Sequence, residues 1–240
     1  MTVVNAASDQ SGYQVTDDDL DFLRISREMF DSWARGESPL AVSPADYLHL
    51  RTTLFAALRE DGIGDADVRL QGSSARFFSS PMKPMLYSRA ELVQEFLDQY
   101  GRLPDRYETD RMEQRLGSRW SAPGPRQRPF DALFVIGAAA EAGDLDFQVS
   151  SDAARSMIEA AVQELGLSVN DIRAKHKDYN FFQKQLTETR FIHLSLWRTK
   201  ASELIRRPVS VAIFDGTGPP VSTNGPVSSH FQPSDWLVQE

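Results

Sequence analysis

The sequence predicts an α+β fold, with a small mixed or antiparallel sheet flanked by helices. Two observations carry this. Short alternating segments suited to half-buried strands occur at 67–71, 144–150, 190–197 and 209–215. Between them lie stretches with apolar residues at helical spacing, several opened by a capping residue and closed by glycine. The 240 residues are 41% hydrophobic and 10% aromatic, enough for a sizeable core.

Composition narrows the function classes. There is no cysteine, so disulfides and thiolate zinc sites are excluded. Against 26 basic residues stand 34 acidic ones, a net charge of -8, a poor default for non-specific nucleic-acid binding. No apolar run reaches the ~18 residues of a membrane span. Residues 1–14 lack the basic start and apolar centre of a signal peptide. The expectation is a cytoplasmic protein without membrane partners.

Taken in order, 1–15 reads as a flexible tail. Thr16 followed by three aspartates starts a helix, with Leu20, Leu23, Phe30 and Trp33 on one face and a stop at Gly36. Ser43-Pro44 opens a second helix. Strand 67–71 runs into Gly72-Ser73-Ser74-Ala75-Arg76. Such a turn can cradle phosphate, because glycine lets the backbone approach closely and N–H groups at a helix start attract anions. Ser88-Arg89-Ala90-Glu91 fits a capping box closed by Gly101. Another helix spans 105–116, three prolines mark 121–129 as loop, and 130–137 reads as an apolar strand.

Residues 142–150 hold the chain's most informative pattern, Ala-Gly-Asp-Leu-Asp-Phe-Gln-Val-Ser. On a strand Asp144, Asp146 and Gln148 share one face, and Leu145, Phe147 and Val149 the other. Two adjacent carboxylates are costly unless a cation neutralises them, and hard oxygen ligands suit Mg²⁺. A helix over 151–165 follows, then another over 170–186 that carries Arg173, Lys175, His176, Lys177 and Lys184. Segment 190–197 alternates as a strand, 200–207 reads as a basic connection, and strand 209–215 ends in Asp215. Residues 216–240 form an irregular tail whose Trp236-Leu237-Val238 can pin its end to the body.

A Gly-Ser turn after a strand, an Asp-x-Asp strand and a later strand ending in aspartate stand in this order. The chain here resembles the nucleotidyltransferase superfamily with the DNA polymerase β-like fold. The resemblance rests on Leu70-Gln71-Gly72-Ser73-Ser74-Ala75-Arg76 and Gly143-Asp144-Leu145-Asp146-Phe147. It implies transfer of a nucleoside monophosphate from an NTP such as ATP to a hydroxyl or phosphate, with release of pyrophosphate. It implies that Gly72, Ser73 and Ser74 hold the triphosphate, with Arg76 adding a cation. Asp144 and Asp146 would bind two Mg²⁺ ions, or Mn²⁺, and Asp215 would complete the metal site and serve as general base.

The implied domain covers 16–215: a helical N-terminal part over 16–62, a core over 63–215, and an inserted helical segment at about 85–129. The chain departs from the family in two ways. From Gly72 to Asp144 is 144 − 72 = 72 positions, far longer than the short family link. Asp215 also falls, by strict alternation, on the face of Val209, Val211 and Ile213, so it joins the site only if the strand bends. Asp178 is the fallback.

The acceptor is a small molecule, a protein, an RNA end or a nucleotide. The basic Arg173, Lys175, Lys177 and Lys184 favour RNA or a nucleotide. Two alternatives stand beside this reading. One is a catalytically inactive nucleotidyltransferase-like binding module, the other a metal-dependent phosphohydrolase. The phosphohydrolase is disfavoured because the four histidines show no ligand spacing.

Overall fold

The computed structural model describes residues 8–121, 124–164, 166, 181–219 and 235–240. It has the α+β architecture expected, a four-stranded mixed sheet with helices. No helix among the described residues is long and apolar enough to cross a membrane. The chain divides into two compact units that interleave in sequence. One takes residues 1–44 and 73–143, the other 45–72 and 144–240. The helical segment expected at about 85–129 is part of a larger compact unit that also holds the first helices.

The sheet unit contains α3 (Pro44–Glu60), β1 (Asp67–Gln71), β2 (Leu145–Ser150), α8 (Asp152–Glu164), α9 (Lys184–Arg190), α10 (Ile192–Ile205), β3 (Val209–Phe214) and β4 (Trp236–Leu237). The strand order is β3-β2-β1-β4. β1 is antiparallel to β2 and β4, whereas β2 and β3 are parallel. Leu145, Phe147 and Val149 on β2 are fully buried, with Val68 and Leu70 of β1 on the same face. Burying each large side chain of this kind stabilises by about 1.5–3 kcal/mol. Trp197 of α10 meets Phe147 edge-on, and its indole N–H donates to the Leu50 carbonyl and Thr53 Oγ1 of α3. As expected, the chain's end is pinned: Trp236 and Leu237 pair with β1.

Segment 190–197 is a helix, not a strand. Phe191, Leu194, Trp197 and Ala201 are buried, a three-to-four-residue period, while Ile192 and Leu196 are exposed. The helix start is stabilised from a distance, because the Asp61 carboxylate accepts the His193 and Leu194 N–H groups. Asp65 does the same for α8, accepting from the Ser151 hydroxyl and the Asp152 and Ala153 N–H groups. The basic connection at 200–207 is largely the continuation of α10. Of the helix expected over 170–186, only its end lies within the described residues, as the start of α9.

The helical unit holds α1 (Asp17–Leu23), α2 (Arg27–Ala34), α4 (Ser73–Arg76), α5 (Arg89–Tyr100), α6 (Arg106–Arg119) and α7 (Ala132–Ile136). The single first helix is in fact two. Arg24 turns left-handed (φ 59°) and Ser26 caps a new helix. The capping box at Ser88 and the Gly101 C-cap form as expected. α6 runs past the expected end at 116 and continues to Arg119. The apolar run 130–137 is a short helix closed by Gly137. With Ala132, Leu133, Val135 and Ile136 all buried, the run carried no period to distinguish helix from strand.

The end of the N-terminal tail is fixed rather than loose. Asp9 accepts N–H bonds from Ser11, Tyr13, Arg126 and Gln127. Asp19, at 1% exposure, is the unit's central carboxylate. It accepts from Tyr13, Thr16, Arg119 and the Trp120 indole, tying α1 to α6. Burial pushes its carboxyl up, but the Arg119 guanidinium and the other donors outweigh burial and hold it below the ordinary carboxylate range.

Because its folded pKa is depressed, Asp19 contributes stability that is full above the unfolded value of ~3.9 and is lost as pH falls through the folded value. Asp19→Asn is expected to cost about 3–5 kcal/mol at pH 7, by leaving Arg119 without its buried partner. Urea unfolding should show the gap between wild type and variant narrowing below pH 4. A gap that is constant with pH would refute the account.

Candidate functional site

The sheet register assembles the site. Asp146 lies between Gln71 of β1 and Ser210 of β3. Directly opposed residues point to one face, so all three share the face opposite Phe147. Asp144 is exposed just ahead of β2, and Asp146 is half-buried. The Ser210 hydroxyl lies 3.1 Å from Asp144 Oδ2 and 2.6 Å from Asp146 Oδ1. A hydroxyl has one hydrogen, so it donates to only one of these oxygens at a time. The other carboxylate oxygen then faces a lone pair.

Two glutamines extend the network into the sheet. Gln71 Nε2 donates to Asp146 Oδ2 at 3.0 Å, and Gln148 Nε2 donates to Gln71 Oε1 at 2.5 Å. Gln148 is 1% exposed, and its Oε1 has no protein partner among the described residues. Asp146 is thereby gripped from both neighbouring strands. Gly72 follows Gln71 directly and turns with φ +86°. An added Cβ there would meet nothing within 4 Å, so the backbone conformation, not crowding, calls for glycine.

Asp215 does not join the pair. β3 runs parallel to β2 with Asp146 beside Ser210 and Ser150 beside Phe214. Asp215 therefore stands five residues beyond Ser210, about 17 Å along the strand. It is buried at the far end of the sheet, where its Oδ1 accepts from the Thr217 N–H and hydroxyl and its carbonyl accepts from Gly218 N–H. It builds the turn that leaves β3. Alternation along β3 had already set Asp215 on the face of Val209, Val211 and Ile213, away from Asp146. Among the described residues no three acids or histidines gather as a metal-holding group. Ser210 holds the place beside Asp146 at which a third carboxylate was expected.

Ser73, Ser74 and Arg76 form α4 and belong to the helical unit. Ser74 is fully buried there, and its carbonyl accepts the Leu40 N–H, while the Ala75 carbonyl accepts the Trp33 indole. A single turn has a small dipole, so α4 is a weaker anion attractor than the sequence suggested. Of the basic segment, Arg173, Lys175 and Lys177, like Asp178, lie outside the described residues. Lys184 opens α9 and lies 3.8 Å from Glu188 one turn on.

Sequence reasoning missed Ser210. Gln148 was placed on the face of Asp144 and Asp146, and Gln71 stood inside the quoted motif, but neither was given a role at the site. Ser210 carried no signal until the parallel register was known. No protein-family model matches the chain, and neither a curated protein nor a solved structure is significantly similar to it.

Ser210→Ala removes a hydroxyl that lies between the two carboxylates. It is expected to lower stability by about 1–3 kcal/mol, the range for losing a hydrogen bond to a charged group. Thermal or urea unfolding of Ser210→Ala against Ser210→Thr, which keeps the hydroxyl, measures this. Equal loss in both variants would assign the effect to packing instead.

Proposed function

We propose that Asp144 and Asp146 seat a divalent cation, Mg²⁺ or Mn²⁺, and that this site binds an NTP for transfer of its nucleoside monophosphate to a hydroxyl or phosphate acceptor. The observation that supports it best is the shared hydroxyl. Two carboxylates converge on one Ser210 hydroxyl, an oxygen cluster of the kind that a hard cation takes. The donor set is two carboxylates and a hydroxyl. It is all oxygen, which fits a hard cation that takes its remaining ligands from water and phosphates.

A cation held there supplies charge neutralisation for the triphosphate oxygens. The chain's own contribution is position. Gln71 and Ser210 fix the Asp146 carboxylate from two sides, and Gly72 provides a backbone turn next to it. In the transfer, an acceptor oxygen forms a bond to the α-phosphorus, the bond from that phosphorus to the bridging oxygen breaks, and pyrophosphate leaves. Ser73 and Arg76 as phosphate donors belong to this proposal through the motif resemblance alone.

A second reading has its own support. With Ser210 beside Asp146, the geometry favours one cation seat over a two-metal site, and among the described residues no third acid joins the pair as a metal-holding group. That favours an NTP-binding module without transfer.

Titration calorimetry with ATP is expected to show binding that requires Mg²⁺ and disappears with EDTA. Asp144→Asn and Asp146→Asn should each weaken it by more than the roughly 10–100-fold typical of changes around metal ligands, with circular dichroism unchanged. Binding retained in both variants, or binding indifferent to EDTA, would sink the metal assignment. Pyrophosphate release from wild type, absent in both variants, separates transfer from binding alone.

A further inference from the structure

The arginines of the helical unit are mostly spoken for. Arg27 pairs with Asp17 and Asp31, Arg35 with Glu37, and Arg119 with Asp18 and Asp19. On α6 every acid is engaged: Glu108 by Arg102, Asp110 by Arg106 and Arg89, and Glu113 by Arg89. Arg111 and Arg115 of the same helix have no acidic partner among the described residues. Neither has Arg24, the exposed residue that ends α1. Arg115 spends one guanidinium nitrogen on the Val135 and Ile136 carbonyls at the end of α7.

These groups lie together. Tyr107, Arg111 and Arg115 are spaced by four along α6 and form one stripe. α1 packs on α6, with Asp19 at Arg119, so the C-terminal end of α1 brings Arg24 toward the earlier turn. The positive charges of Arg111 and Arg24, after burial, push the Arg115 guanidinium down, which puts all three within electrostatic reach. Tyr107 at the head of the stripe is 72% exposed, a bare aromatic face. Holding three like charges together without counter-charges is unfavourable in the free protein. In a chain of net charge -8 it marks a place complementary to an anion.

We infer that Arg24, Arg111, Arg115 and Tyr107 form a contact surface for single-stranded nucleic acid, the guanidiniums on successive phosphates and the tyrosine ring under a base. Guanidinium forks suit phosphate oxygens, and a row of charges beside an aromatic ring is the pairing that holds single strands without sequence preference. The surface lies within the helical unit and stands independently of the metal reading. Its failure leaves that reading untouched, and loss of Mg²⁺-dependent ATP binding leaves this one untouched.

The test is fluorescence anisotropy of a labelled 20-nucleotide single-stranded RNA titrated with the full chain across 50–200 mM salt. The double variant Arg24→Gln/Arg111→Gln changes only exposed, unpaired side chains. It is expected to weaken binding about tenfold or more at 50 mM salt and to reduce the slope of log K against log salt by about 1.4, two phosphate contacts at ~0.7 each. Tyr107→Ala is expected to weaken binding about fivefold or more. Arg35→Gln, in the same unit, should bind as wild type. No binding by wild type at 50 mM salt, or a double variant that binds like wild type, overturns the proposal. Displacement of the RNA by poly-glutamate with Tyr107→Ala unaffected also overturns it, in favour of an acidic protein partner.

Discussion

Asp146 is held between two strands, and the arrangement of the candidate site follows from that grip. A carboxylate two residues into a strand is ordinarily a solvated side chain. Here Gln71 donates to one of its oxygens from the antiparallel side and Ser210 to the other from the parallel side. Both contacts are consequences of register. A slip of one residue on either side would turn Gln71 or Ser210 to the apolar face and place Leu70 or Val211 beside the acid. The buried row of Leu145, Phe147 and Val149 resists such a slip, since it would move all three into the polar layer. The apolar face thus fixes the geometry of the polar one.

The same register decides the fate of Asp215. In a parallel pair, residues at equal height stay at equal height along the whole ladder. An acid at the end of β3 therefore cannot approach an acid at the start of β2, whatever its side chain does. Ser210 occupies the position at that height. Its hydroxyl lies within hydrogen-bond distance of both Asp144 and Asp146 and donates to one of them at a time.

The two units divide the structural problem differently. In the sheet unit, the loop acid Asp61 caps α10 from outside, and Asp65 adds to the cap that Ser151 itself gives α8. In the helical unit, caps come largely from the helices' own sequences, as at Thr16, Ser88 and Asp105. This explains why α5 was readable to within a residue of its ends and α10 was not. Its first turn carries no capping side chain of its own. Its alternating Phe191, His193 and Ser195 against Ile192, Leu194 and Leu196 satisfied a strand pattern that only burial could reject.

Local chemistry was enough to determine the α+β class, the strand at 67–71, the strand expected at 209–215 and found at 209–214, the apolar and polar faces of 145–150, the box-capped helix at 89–100 and the adjacency of Asp144 and Asp146. Each follows from interactions within a few residues, where side-chain alternation and capping act. Tertiary structure alone decided that Ser210, not Asp215, stands beside Asp146, that Gln71 and Gln148 support it, and that residues 73–143 fold with the N-terminal 44 rather than with the sheet. Those outcomes depend on strand direction and pairing between segments more than 60 residues apart, for which alternation within each segment is blind.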